Sequence, residues 1–221
     1  MIGDFVVQAA LYAVPLLLGV VTHEVAHGWV ADKLGDPTAR IMGRITLNPF
    51  VHIDLMGTII LPLVLLVVHA PFLFGWAKPV PVNFENLRGG RRDMALVAIS
   101  GPLTNLTIAV LSALVYHTVL SGLQNGWLSG QGPAVLVAEP VFLMARISVT
   151  FNLVLMVINL LPIPPLDGGR VLIGILPYRW ASQLERLESF GMLIVLLLIG
   201  TGLWGYIVGP ILGVLLRFFL D

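Results

Sequence analysis

Phe5 to Val21 contains no acidic or basic residue, and comparable apolar runs recur along the chain. In a lipid interior such a run has one stable form. It must satisfy its own backbone hydrogen bonds, and a helix does so. Carried to the next polar cluster, the expected first helix covers residues 5–31. At ~1.5 Å per residue it is ~40 Å long, which exceeds a hydrocarbon core of ~30 Å. Pro15 marks a place for a kink. Asp32, Lys33, Gly35, Asp36 and Pro37 end the helix. The run is too long for the apolar region of a signal peptide and lacks a basic segment before it, so it reads as a retained membrane helix. Only 11% of the 221 residues are charged, against ~25% in soluble domains. The chain is therefore expected to be an integral membrane protein.

The remaining segments follow from the same reasoning. Helices are expected over residues 93–120 and 140–161, with a short one over 169–176. A last apolar segment covers 189–220 and is interrupted at Gly209-Pro210. Residues 55–70 are apolar but fall short of the ~20 residues needed to span, and Pro62 lies in their middle. They are expected to enter the membrane and return on the same side. Pro79 and Pro81 favour extended chain over 78–84, and Arg44 to Leu47 suits a short strand. A Gly-rich turn is expected over 121–133, and residues 177–188 are polar. The fold class is thus an all-α polytopic membrane protein with short extended or β segments. One domain fills residues 1–221.

Within that frame one stretch carries chemistry. His23-Glu24-Val25-Ala26-His27 lies near the end of the first helix. Positions i and i+4 share a helix face, so His23 and His27 point the same way and can hold one zinc ion. Glu24 is placed to take a proton from an attacking water. Ionisable groups at membrane depth are costly and usually functional. The chain has no cysteine, so a metal must be held by His, Asp or Glu. The zero formal net charge gives no basis for nucleic-acid binding. His52 and Asp54, at i and i+2, suit an interfacial turn better than a metal site. Asn105 and Asn159 are intramembrane amides that need partners. Asp167 follows Pro162, Pro164 and Pro165, on irregular backbone of a kind tolerated only inside protein or beside a water-filled cavity. Its carboxylate is a site group, an N-cap for the short helix, or both.

Three stretches together resemble the site-2 protease family of intramembrane zinc metalloproteases: HEVAHG at 23–28, SGPLTN at 100–105 and NLLPIPPLDGG at 159–169. The chain is similar to the small forms without a PDZ domain. The resemblance implies a three-helix catalytic core within about residues 5–176, with a C-terminal helix over about 186–220. It implies one Zn2+ per chain, held by His23, His27 and Asp167, with Glu24 as catalytic acid and base. It puts Asn159 and Asn105 near the substrate or the oxyanion, and it matches Asn105 to the motif on the middle core helix. The implied substrate is a transmembrane protein in a bacterial or archaeal cell membrane. Larger members often carry a helix before the one with HExxH, and this chain shows no counterpart.

Topology agrees with that site if the three core helices run down, up and down. Lys33, Arg40, Arg44, Lys78, Arg88, Arg91, Arg92, Arg170, Arg179 and Arg186 then share one side, leaving only Arg146 and Arg217 of the 12 basic residues elsewhere. The positive-inside rule makes that side, and the active site near it, cytoplasmic. The rival reading is a metal-ion or solute transporter, since broken helices and intramembrane polar groups also suit transport. Glu24 separates the two, because a permeation site has no need of a general base. A non-catalytic scaffold would need neither the HEVAH nor the LDG stretch.

Overall fold

The computed structural model describes residues 2–69, 75–127 and 133–221. Among them are helices α1 (Ile2–Leu34), α2 (Thr38–Ile41), α3 (Leu61–Val67), α4 (Arg91–Gln124), α5 (Pro133–Asn159), α6 (Asp167–Ile175), α7 (Tyr178–Gly200) and α8 (Leu203–Leu220). Among the described residues four stretches are long and apolar enough to cross a bilayer: Ala10–Leu34, Arg91–Gln124, Leu136–Asn159 and Leu203–Leu220. The chain is an all-α polytopic integral membrane protein.

The directions of α1, α4 and α5 follow from their contacts. His23 meets Asn105 while His27, one turn on, meets Val97, so α1 and α4 are antiparallel. Asn105 meets Asn152, Ser112 meets Ser148 and Tyr116 stacks on Phe142, so α4 and α5 are antiparallel too. Ala109 and Ala113, one turn apart, are the small residues that let α4 approach α5 closely. Val149, Leu153, Met156 and Val157 of α5 complete this core, and Val208 of α8 closes it.

Several segments differ from the sequence expectation. No strand occurs among the described residues, so the β segment at Arg44–Leu47 is not formed. Pro79 and Pro81 lack the N–H that a ladder needs, and the Arg44 side chain takes the Lys78 and Pro79 carbonyls. The polar residues 178–188 are helical and open α7. The break in the last apolar segment falls at Thr201-Gly202, where Gly202 has φ +75°, and not at Gly209-Pro210. α8 carries Pro210 in its interior, which membrane helices tolerate. α4 runs on to Gln124 and α5 starts at Pro133, so the turn is shorter than expected. Residues 128–132, in the expected Gly-rich turn, lie outside the described residues.

Residues 55–69 form a π-helical turn (Leu55–Ile60) and α3. The chain leaves and returns at one place. Trp76 N–H donates to the Gly57 carbonyl at 3.1 Å, Lys78 N–H to the His52 carbonyl at 2.9 Å, and the Thr58 hydroxyl to the Trp76 carbonyl at 2.9 Å. Residues 70–74 lie outside the described residues. His52 and Asp54 serve this base: His52 bonds to the Thr46 carbonyl, and Asp54 accepts from Gly57 N–H.

Asp36 ties the end of α1 to residues 83–86. Its buried carboxylate accepts from Thr38 N–H and hydroxyl, Asn83 N–H and the Asn86 amide. Burial pushes its pKa up, but these donors outweigh burial and leave it below the usual carboxylate value. A lowered folded pKa stabilises the fold above the unfolded value of ~3.9. That contribution is lost as pH falls through the folded value.

Candidate metal centre

The centre begins with the two imidazoles of α1. Asp167 reaches them because residues 160–166 turn back on themselves, with Ile163 N–H on the Leu161 carbonyl and Leu166 N–H on the Ile163 carbonyl. Asp167 is the first residue of α6, and the cap position is held by Leu166 with no side-chain cap bond. The expected capping role is therefore not observed. The carboxylate faces the histidines instead. His23 Nε2 lies 3.1 Å from Asp167 Oδ2, His27 Nε2 lies 3.3 Å from Oδ1, and the two Nε2 atoms are 3.1 Å apart. Among the described residues this is the one group of three or more His, Cys, Asp or Glu with metal-ligand spacing.

Hydrogen bonding on the far side of each ring fixes its tautomer. His27 Nδ1 is 2.8 Å from the Val97 carbonyl, which can only accept. His23 Nδ1 is 2.6 Å from Asn105 Oδ1. That amide cannot be turned round, because its Nδ2 donates to the Gly19 carbonyl at 3.1 Å and to Asn152 Oδ1 at 2.9 Å. Both Nδ1 atoms therefore carry a proton, and in the neutral rings both Nε2 atoms present lone pairs. In that form two lone pairs and a carboxylate converge. Asp167 Oδ2 is buried without a hydrogen-bond donor. Such a set of acceptors suits a metal cation. Two imidazole nitrogens and one carboxylate oxygen form a donor set that zinc takes in hydrolytic sites.

α4 passes close beside the pair because residue 101 is glycine. A Cβ there would meet His27 Nε2 at 2.5 Å and His23 Cε1 at 2.6 Å. In Gly101→Ala the imidazoles must shift. The expected result is a fall in zinc affinity of at least ~10-fold, within the range that loss of a ligand's outer hydrogen-bond partner produces. Competition with a chelator of known affinity reads it.

Glu24 lies on the neighbouring face of α1. Its Oε2 accepts the Val80 N–H at 2.8 Å. Glu24, His23, His27 and Asp167 all line a cavity of about 670 Å³, walled otherwise mostly by apolar side chains such as Leu155, Ile158, Val195 and Trp204. The two asparagines separate. Asn159 lines this cavity, with one amide hydrogen on the Leu155 carbonyl. Asn105 is fully buried outside the cavity lining, and its bonds are made to His23, Gly19 and Asn152. The expectation of a substrate contact there gives way to a bond with an imidazole. Sequence reading missed the support behind it. Asn152 bonds to Asn105 and to Ser148, and a Cβ at Gly19 would meet Asn152 Oδ1 at 2.9 Å. The available signal was spacing: Gly19 lies one turn before His23, and Asn152 two turns before Asn159.

Comparison with known proteins gives concordant results. The model of peptidase family M50 matches residues 129–200. YwhC of Bacillus subtilis, whose name places it with the zinc metalloproteases, is 37% identical over 201 residues, covering 90% of this chain and 84% of that protein. Rip2 of Mycolicibacterium smegmatis, similarly named, is 28% identical, covering 90% of this chain and 69% of its own. Rip2 of Mycobacterium tuberculosis strain H37Rv is 30% identical, covering 89% and 67%. No solved structure matches the chain.

Proposed function

The chain belongs to peptidase family M50, the site-2 proteases, and from that premise we propose how this intramembrane zinc metalloprotease works. His23, His27 and Asp167 are the ligands of one zinc, and Glu24 is the proton carrier. The observation that carries the assignment is the convergence of three acceptors, His23 and Asp167 buried and His27 half-buried, with the Nδ1 protons of the imidazoles turned away. α1, α4 and α5 form a three-helix catalytic core within residues 5–176, and α7 and α8 follow it in a single domain.

When bound, zinc polarises a water and the scissile carbonyl and brings the water's pKa towards ~7. Glu24 accepts the proton as the C–O bond forms and returns it to the leaving nitrogen as the C–N bond breaks. Asn159 has a second amide hydrogen beyond the one it gives to Leu155, and that donor steadies the oxyanion. Asn105 holds the His23 ring in its tautomer. The apolar walls suit the side chains of a transmembrane segment, which must unwind locally because a helix hides its carbonyls in its own hydrogen bonds. Family membership gives the transporter reading no support.

The test is cleavage of a model transmembrane peptide by the purified chain. Cleavage is expected to stop with a chelator and to return with zinc. Cleavage that ignores the chelator overturns the reading.

The active site opens towards the cytoplasm of a bacterial or archaeal cell. The clustering of basic residues at the α1–α4 end supports this orientation, and so do the bonds that join residues 52–58 to 76–78. The chain has no cysteine, so single cysteines report sidedness. Met42→Cys and Glu85→Cys, both at exposed positions, are expected to react with an impermeant thiol reagent from the cytoplasmic face. Trp127→Cys, 85% exposed at the far end of α4, is expected to react from the other. Labelling of positions 42 and 85 from opposite faces sinks the re-entrant arrangement of 55–69.

A further inference from the structure

Arg44 is buried, at 6% exposure. A buried guanidinium is expensive and is normally paired. Among the described residues no carboxylate pairs with it, and its Nε has no hydrogen-bond partner. Its Nη2 instead donates to the carbonyls of Lys78 at 2.9 Å and Pro79 at 3.3 Å. The next residue, Val80, donates its N–H to Glu24 Oε2 at 2.8 Å. Pro79 and Pro81 have no N–H, so Val80 supplies the single backbone donor of this tripeptide, and it is aimed at the carboxylate.

The side chain of Val80 fixes the same register. Gly28 lies one helical turn beyond Glu24, on the same face. A Cβ on Gly28 would meet Val80 Cγ1 at 2.7 Å and Ala39 Cβ at 3.0 Å. Residues 78–80 thus lie on the Glu24–Gly28 face of α1, while Asp167 lies on the His23–His27 face.

We propose that residues 78–80, clamped by Arg44, are a positioning element for the proton carrier. Arg44 holds two carbonyls of a strap stiffened by proline, and the Val80 N–H of that strap holds one oxygen of Glu24. The other oxygen is left to exchange the proton. A glutamate side chain has three rotatable bonds, and without this restraint its carboxylate samples orientations turned away from the cavity. Arg44 and Val80 act through Glu24. Val80 also lines the cavity with its side chain, but in this role it acts through its N–H.

The inference rests on Glu24 being the proton carrier, and the test separates the two. Purified, zinc-loaded full chain is assayed for kcat and KM on a model transmembrane peptide, with zinc content and melting measured alongside. Val80→Ala keeps the N–H and sets the side chain's own contribution. Val80→Pro removes the N–H, and its kcat is expected to fall at least ~10-fold below that of Val80→Ala, at unchanged zinc content and with KM shifted far less. Arg44→Met is expected to show the same kcat-selective loss, and Arg44→Lys to recover part of it, since an ammonium can still donate to the two carbonyls. A Val80→Pro kcat equal to that of Val80→Ala overturns the inference. So does loss of zinc or fold in both Val80→Pro and Arg44→Met, because the strap would then hold the structure and not the carboxylate. If only Val80→Pro fails to fold, the kcat of Arg44→Met decides. Glu24→Gln discriminates the premise. An active Glu24→Gln overturns the role of Glu24 itself, whereas an inactive one beside an unaffected Val80→Pro overturns the strap alone.

Discussion

In Glu24→Gln, zinc content is expected to equal that of the wild type while peptide cleavage falls by ~10²- to 10⁴-fold, the usual contribution of a positioned general base. The two side chains have the same shape. The amide oxygen of the glutamine can accept the Val80 N–H as Glu24 Oε2 does, so the strap and α1 keep their places. Zinc is untouched because the converging acceptors are His23, His27 and Asp167, without Glu24. What disappears is the basic lone pair, since an amide does not take a proton near neutral pH. Metal analysis of the purified variant and single-turnover cleavage of a transmembrane peptide separate the two effects. Wild-type turnover would show that another group carries the proton.

The parts of this site that sequence reading reached are those set by local geometry. His23, Glu24 and His27 lie within one turn and a half of helix, so spacing alone gave their faces. The membrane helices were legible because an apolar run in lipid has so few alternatives. Asp167 is different. Nothing local distinguishes a carboxylate that caps α6 from one that turns back to α1, and only the resemblance to a family selected the second. Which partner a buried amide takes is likewise a tertiary fact. Asn105 and Asn159 look alike in sequence, yet one faces an imidazole and the other a cavity. The break falls at Thr201-Gly202 and not at Gly209-Pro210, because proline inside α8 costs less in a membrane bundle than in water. No strand forms at Arg44 for a related reason. Extended backbone forms a sheet only if its donors and acceptors are free, and here Arg44 and the two prolines remove them.

Asp167→Ala is expected to abolish tight zinc binding, with loss beyond the ~10- to 100-fold typical of removing an outer hydrogen-bond partner. Two imidazoles on one helix face seldom suffice alone. The more telling readout is melting. A ligand that binds only the folded state stabilises it by ~2.7 kcal/mol at 100 times its Kd. The wild type should gain Tm on zinc addition, and the variant should gain little. Without zinc the order is expected to change. The metal-free wild type buries a carboxylate whose Oδ2 lacks a donor, and removing that carboxylate relieves its desolvation cost. α6 loses no cap, since Leu166 holds that position, and gives up only the ~0.3–1 kcal/mol of an acid in its first turn. The metal-free variant should therefore melt no lower than the metal-free wild type, apart from that small term. A variant that keeps the full zinc-induced shift would remove Asp167 from the ligand set. One that melts far lower without zinc would assign the carboxylate to the architecture of α6 instead.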